Sequence, residues 1–314
     1  MILAVSGCLL GHKVRFDKGH KRDDFVMNEL SNYAEYISFC PEDMAFSSPR
    51  DSIRLVDEND SINVISNKTQ QDLTQALRRN SQKEYNSISK HKLGGIIFKS
   101  RSPSCGLGSA KVYLPNGFAS GKQDGVFAKI CKEAYPLLPM EEEGRLCDPW
   151  LRENFIMQIF AYEEFEKFKE DASISKLVLF HKEHKFMLQS KDENIYRQLG
   201  KLVGNQDHKD FSDILDEYEH LYKTAIATKS SVGKTRNVLE HMSGFLKNHL
   251  DKEEKQMLHE QIEDCAAKII PVIVPLSTLK LYAVKYEINY LLEQTFLNPY
   301  PKELGLRSSV DTLK

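Results

Sequence analysis

Three short apolar runs punctuate the first half of the chain, and each ends at a cysteine: MILAVSGC (1–8), YAEYISFC (33–40) and LGGIIFKSRSPSC (93–105). Between the second and third lies KTQQDLTQALRRNSQKEYNSIS (68–89), with apolar residues at helical spacing and no proline. Short apolar runs bounded by turn residues read as buried strands. Their alternation with a helical stretch predicts a Rossmann-like α/β domain, a parallel sheet with crossover helices. VFAKICKEAYPLLP (126–139) reads as a last helix broken by prolines. From DPWLRENFIMQIFAYEEFEKF (148–168) onward the spacing is helical almost throughout, and five or six amphipathic helices are expected. The pattern predicts an α/β domain over 1–145 followed by an all-α domain over 146–314, joined near MEEEGRLCDP (140–149). There is no internal repeat and no low-complexity tract.

Composition narrows the picture. A length of 314 residues, 41% apolar and 28% charged, suits two globular domains. The net charge of −2 gives no global attraction to nucleic acid, so an RNA partner would have to be met by a local patch. No apolar stretch approaches the roughly 20 residues that cross a bilayer. LAVSGC (3–8) has the small-residue look of a lipoprotein box, but no basic leader or long apolar core stands before it. The expectation is a cytoplasmic protein with reduced thiols, whose six cysteines are ligands or core residues before they are disulfides.

Functional groups of parallel α/β sheets gather outside the carboxyl ends of strands, which would bring Cys8, Cys40 and Cys105 to one rim. Cys105 stands out because Pro103 stops the strand and Gly106 permits an unusual backbone. Spacing leaves several readings open: three buried core thiols, a metal or redox site, or an iron–sulfur cluster with one iron free of protein ligands. The chain has no CxxC, the usual mark of structural zinc and of redox dithiols.

At these residues the chain resembles a family. SGCLLGHKVRFDKGHKRD (6–23), CPEDMAFSSPRDSIRL (40–55) and KSRSPSCG (99–106) are similar to the three motifs of TudS-type thiouracil desulfidases. LVLFHKEHKFMLQS, NVLEHMSGFLK, PLSTLKLYAVKY and NPYPKELGLR are similar to the YbgA-type helical domain. Fused in this order, they resemble RudS-type desulfidases, which act on 4-thiouridine in tRNA. The resemblance implies a [4Fe–4S] cluster held by Cys8, Cys40 and Cys105. It also implies non-redox replacement of a thiocarbonyl sulfur by oxygen. The chain departs from the family pattern where Met44, Ala45 and Phe46 replace a usual Gly-Leu and where Phe16 replaces a tyrosine. These changes are expected to reshape the substrate pocket.

Glu42, two residues beyond Cys40, is then the expected general base and acid, with a pairing to Arg50 or Arg54 as its structural alternative. Ser102 and Ser104 are candidates to hold the uracil edge or the attacking water, and Asp17 is a weaker candidate that could equally cap its loop. Cys131, Cys147 and Cys265 are expected to be incidental. His181 and His184 are expected to pack or to face RNA, since no third ligand or HExxH accompanies them. Residues 151–314 carry 23 Lys/Arg against 26 Asp/Glu, yet 221–250 hold Lys223, Lys229, Lys234, Arg236 and Lys247 against Glu240 alone. A second cluster, Lys13, Arg15, Lys18, Lys21 and Arg22, surrounds the expected active-site rim. Both are candidate phosphate contacts. The expected partner is thiolated tRNA, with small thiolated uracil bases as the alternative and no protein partner implied. A non-catalytic iron–sulfur RNA-binding or sensor protein is the third reading.

Overall fold

The computed structural model describes residues 1–58, 61–204 and 208–314. The chain divides into two compact units, Met1–Cys147 and Asp148–Lys314.

In the first unit the three apolar runs form β1 (Ile2–Ser6), β2 (Glu35–Phe39) and β5 (Leu93–Phe98). They lie in a parallel sheet of order β2-β1-β5-β8, in which β8 is Met140–Glu142. Strand β5 is buried along its whole length, as expected for a parallel strand covered on both faces. The chain leaves β1 toward β2 on one side and reaches β5 on the other, so β1 sits at a topological switch point. Ser6 pairs with Phe39 in register, which sets Cys8 and Cys40 just beyond adjacent strand ends.

The last strand lies where the sequence pattern suggested a linker. Glu141 and Glu142 are both buried there, Glu142 on the loop that follows β5 and Glu141 against Arg145. The helices are α1 (Pro41–Phe46), α2 (Thr74–Ile88) and α3 (Val126–Ala134). A second sheet, unforeseen from the sequence, joins the hairpin β3 (Ile53–Glu58)–β4 (Ser61–Ser66) to the hairpin β6 (Ala110–Tyr113)–β7 (Ala119–Gln123) through a parallel β3–β6 pairing. Ile53, Leu55, Val64, Ala110 and Val112 bury its inner face against Leu77 of α2.

The second unit is helical: α4 (Pro149–Lys169), α5 (Ile174–Lys191), α6 (Glu193–Gly204), α7 (Phe211–Ala227), α8 (Val232–Ser243), α9 (Lys252–Ala266), α10 (Ile273–Lys285) and the short α11 (Asn289–Leu292). Pro149 opens α4, and the Asp148 carboxylate accepts from the amides of Trp150 and Leu151. Asp251 and Glu254 cap α9 reciprocally. The expected helix through LSTLKLYAVKYEINYLLEQTFL breaks after Lys285, where Glu287 takes a φ of 54°. Phe165 stacks on Tyr222 at 4.9 Å and meets Phe180 edge-on at 5.6 Å in the helical core. Among the described residues, no helix is long and apolar enough to cross a membrane.

Candidate active site

Cys8, Cys40 and Cys105 line one cavity of about 60 Å³ beyond the carboxyl ends of β1, β2 and β5. Cys8 sits in a 3₁₀ turn directly after β1. Cys40 is the N-cap of α1, whose first helical residue is Pro41, and its amide donates to Glu84 Oε1 at 2.9 Å. Glu84 comes from α2, so the crossover helix fixes the second cysteine.

The Cys105 loop is stitched from two sides. Leu107 N and Ser109 Oγ donate to the buried Glu142 carboxylate of β8, while Ser100 N donates to Glu143 at 2.6 Å. On the other side the first-turn amides of α3 donate into the loop, Val126 to the Pro103 carbonyl at 3.0 Å and Phe127 to the Ser104 carbonyl at 2.8 Å. Gly125 is required at this joint, since a Cβ there would lie 2.5 Å from the Ser104 carbonyl carbon. Phe39, Phe98 and Phe127 pack behind the rim, with the Phe39 and Phe127 centroids 4.7 Å apart.

Glu42 shares the cavity with the thiols. Its Oε1 accepts from Ser104 Oγ at 2.6 Å and Ser102 Oγ at 3.0 Å, and its Oε2 from Arg50 Nη2 at 3.1 Å. Both anticipated arrangements are therefore present at once: an ion pair with Arg50 and a carboxylate aimed into the site. Arg54 is elsewhere, on Asn67 and Gln70. Ser102 also accepts from the Cys105 amide at 3.2 Å, and Ser104 Oγ lies 3.4 Å from Cys105 Sγ. The loop serines thus connect carboxylate and thiol.

Lys99, not singled out from the sequence, lines the same cavity and is held by Ser100 and Glu143. Its only signal in the sequence is its place directly after the strand preceding Cys105. Asp17 is absent from the cavity lining. It is exposed and caps its own turn by accepting from Gly19 N at 2.9 Å. Of the departures from the family pattern, Phe16 alone lines the cavity, 39% exposed, with the Arg15 guanidinium over its ring. Met44 is exposed, and Ala45 and Phe46 pack on the second sheet, which corrects the expectation that they shape the pocket.

Burial pushes the Cys8 thiol up to about 11, against the pull of Lys99 and Arg15, and the Cys40 thiol up to about 12. Burial raises the Cys105 thiol well above its ordinary value, and negative charge on Cys40 adds to it. Three such thiols ionise together only against a bound cation. All are free of disulfides. A soft, three-thiolate donor set fits an iron–sulfur cluster, whereas structural zinc ordinarily takes about four ligands. Cys131 and Cys265 are buried within α3 and α9, and Cys147 is exposed; none of them lines the cavity.

The expected RNA contacts fare unevenly. Lys223 is buried with Glu166 at 2.6 Å and Glu219 at 2.5 Å, so it is a core ion pair and not a phosphate contact. Arg236 is paired with Glu263, and Lys234 donates to the Lys191 carbonyl. Lys229 and Lys247 are exposed. In the first unit Lys13, Lys18 and Lys21 are exposed, Arg15 lies 3.6 Å from Asp17, and Arg22 is paired with Asp24 at 2.6 Å. His184 is fully buried, with Nδ1 2.8 Å from the Phe180 carbonyl, and His181 Nδ1 lies 3.1 Å from the Tyr218 hydroxyl.

With this geometry in place, the comparisons are direct. Residues 3–143 match the family model for 2-thiouracil desulfurase, and residues 185–301 match one described as a protein of unknown function (DUF1722). The first unit is therefore a three-thiol α/β domain of the 2-thiouracil desulfurase type. The chain as a whole thus joins a region matching the 2-thiouracil desulfurase model to a region matching the DUF1722 model. The uncharacterized protein YbgA of Escherichia coli (strain K12) is 24% identical over 159 residues, 50% of this chain and 94% of that protein. The uncharacterized protein YbbK of Bacillus subtilis (strain 168) is 27% identical over 142 residues, 42% of this chain and 91% of that protein. Among solved structures, the [4Fe-4S]-dependent thiouracil desulfidase TudS is 22% identical with a TM-score of 0.38, covering 46% of this chain and 92% of that one.

Proposed function

We propose that the chain is a cytoplasmic desulfidase that exchanges the thiocarbonyl sulfur of a thiolated uracil for oxygen, with 4-thiouridine in tRNA as its substrate. The observation that carries this reading is the convergence of Cys8, Cys40, Cys105 and Glu42 on one cavity of a 2-thiouracil desulfurase-type domain. The three cysteines would hold a [4Fe–4S] cluster, which supplies a thiophilic Lewis-acid iron with no protein ligand.

The remaining chemistry belongs to this chain. Thiocarbonyl plus water gives carbonyl plus hydrogen sulfide, and no electron is gained or lost. Glu42 takes the proton from the water and returns it as sulfur leaves. Arg50 holds Oε2, so Oε1 is the oxygen directed at the serines and the reacting water. Ser102 and Ser104 hold that water or the edge of the uracil ring. Lys99 and Arg15 contribute positive charge beside Cys8.

The exposed Lys13, Lys18 and Lys21 near the site, with Lys229 and Lys247 in the second unit, support a polyanionic substrate. Free thiouracil is the second reading. The test offers anaerobically reconstituted protein both 4-thiouridine-containing tRNA and free 2-thiouracil. Faster turnover of the tRNA, in kcat/KM, is expected. Preference for the free base would reassign the substrate, and no sulfide from either would refute the enzyme.

A further inference from the structure

The second unit contains a cavity of about 290 Å³ between α10 and the segment 297–308. Its walls are apolar, with Leu276 on the helix and Pro299 and Leu306 on the segment. Beneath them Arg307 is locked. Its Nε lies 3.0 Å from the Glu153 carboxylate and its Nη1 donates to the Phe296 carbonyl at 2.6 Å, so the floor is preorganised and closed to further ionic partners on those atoms. The lining also includes two exposed ammonium groups, Lys280 and Lys302, neither of which meets a carboxylate among the described residues. Lys280 Nζ donates to Asn298 Oδ1 at 3.0 Å, which leaves the Asn298 amide nitrogen as a free donor at the same edge.

An apolar slot with positive charge and an amide donor at its mouth is complementary to a flat heterocycle carrying an anionic group. The volume lies near the lower end of small-ligand sites, roughly 300 Å³, and suits a single nucleotide better than a larger cofactor. A purely apolar occupant would leave both ammonium groups and the amide unused. A bare phosphate would leave the apolar walls unused. Single-stranded RNA is commonly held with its bases splayed onto side-chain surfaces while basic residues meet its phosphates.

We propose that this cavity holds one nucleotide of a single-stranded RNA segment, its base among Leu276, Pro299 and Leu306 and its phosphate on Lys280 and Lys302. The proposal deepens the RNA reading given above and rests on it.

The probes are uridine 5′-monophosphate, uridine, inorganic phosphate and a short unthiolated oligouridylate, each titrated into the full chain and followed by NMR shifts of the 273–308 region. Binding of the monophosphate is expected to exceed that of uridine by about tenfold, the weight of a charge-assisted contact. The oligonucleotide is expected to bind more tightly still and to weaken with salt. The pair Lys280→Glu and Lys302→Glu, both exposed and safe for folding, should abolish the preference for the monophosphate over uridine. Leu276→Trp, checked for an unchanged melting curve, should abolish binding of both.

Absence of binding by the monophosphate, or binding unaffected by the lysine pair, overturns the proposal. Binding of the monophosphate but not the oligonucleotide reassigns the site to free nucleotides and also overturns it. Because the probes carry no sulfur, failure of tRNA desulfidation would leave these titrations intact, and failure of the titrations would leave desulfidation standing.

Discussion

The two units bury charge on opposite terms. In the second, Lys223 lies between two carboxylates, Arg307 between a carboxylate and a carbonyl, and Lys191 against Asn154. The ion pairs of Lys223 and Arg307 close on themselves. In the first, Glu42, Arg50, Lys99 and three thiols also leave bulk water, but their functional atoms converge on a shared opening. Burial alone therefore marks nothing. Closed satisfaction marks architecture, and convergence on a cavity marks chemistry.

The largest test of that contrast compares thiols. Cys105→Ala, Cys8→Ala or Cys40→Ala should each abolish both bound iron, read from the visible spectrum and iron content, and turnover. Cys131→Ala should retain both and cost only about 1–2 kcal/mol of stability through lost packing. Full colour and turnover in Cys105→Ala would erase the distinction. Next, Glu42→Gln should retain iron and slow turnover by roughly 100-fold, the usual weight of a general acid–base group. A near-normal rate would place Glu42 with the closed ion pairs of the other unit.

The smallest effect concerns the helical core, where burial lowers the His181 pKa to about 4 from 6.5. With the folded value below the unfolded one, its neutral-state stability is present above the unfolded pKa and falls as pH drops from 6.5 toward 4. Between pH 7 and pH 5 this loss should be on the order of 2 kcal/mol, and His181→Gln should flatten it. Urea melts at the two pH values measure it. Equal pH dependence in the variant would assign the acid sensitivity to another group.

The parallel sheet and the cysteine rim were legible because β1, β2 and β5 are apolar runs, with Cys8 and Cys40 just past their strand ends and Cys105 in the loop that follows β5. The second sheet was not. Strand β7 is ASGKQ, almost wholly exposed, and gives no alternation to read. Strand β8 is three residues long and carries two glutamates, so its composition resembles a linker, and only their partners in the fold account for their burial. Glu42 could be found by its distance from Cys40, whereas Glu84 lies 44 residues away and is recruited by a helix-to-strand packing no local pattern encodes. In the basic stretch 221–250, charge summed along the chain did not separate exposed Lys229 and Lys247 from the engaged Lys223, Lys234 and Arg236. The partners of Lys223 lie on α4 as well as on its own helix.

The glutamates of β8 bear on the order in which the site comes into being. Glu142 and Glu143 hold the Cys105 loop from both ends, yet they arrive after the third cysteine has already been synthesised. A nascent chain that has exposed all three thiols still lacks the clasp that gathers the last of them. Domains emerge from the ribosome amino end first and fold as units, so this clasp would close only when the final strand of the sheet is free to add to β5. Before that moment the Cys105 loop is held only from the α3 and Glu42 side, and after it from both. A fragment ending before Met140 should carry all three thiols of the cavity yet hold the Cys105 loop from one side alone.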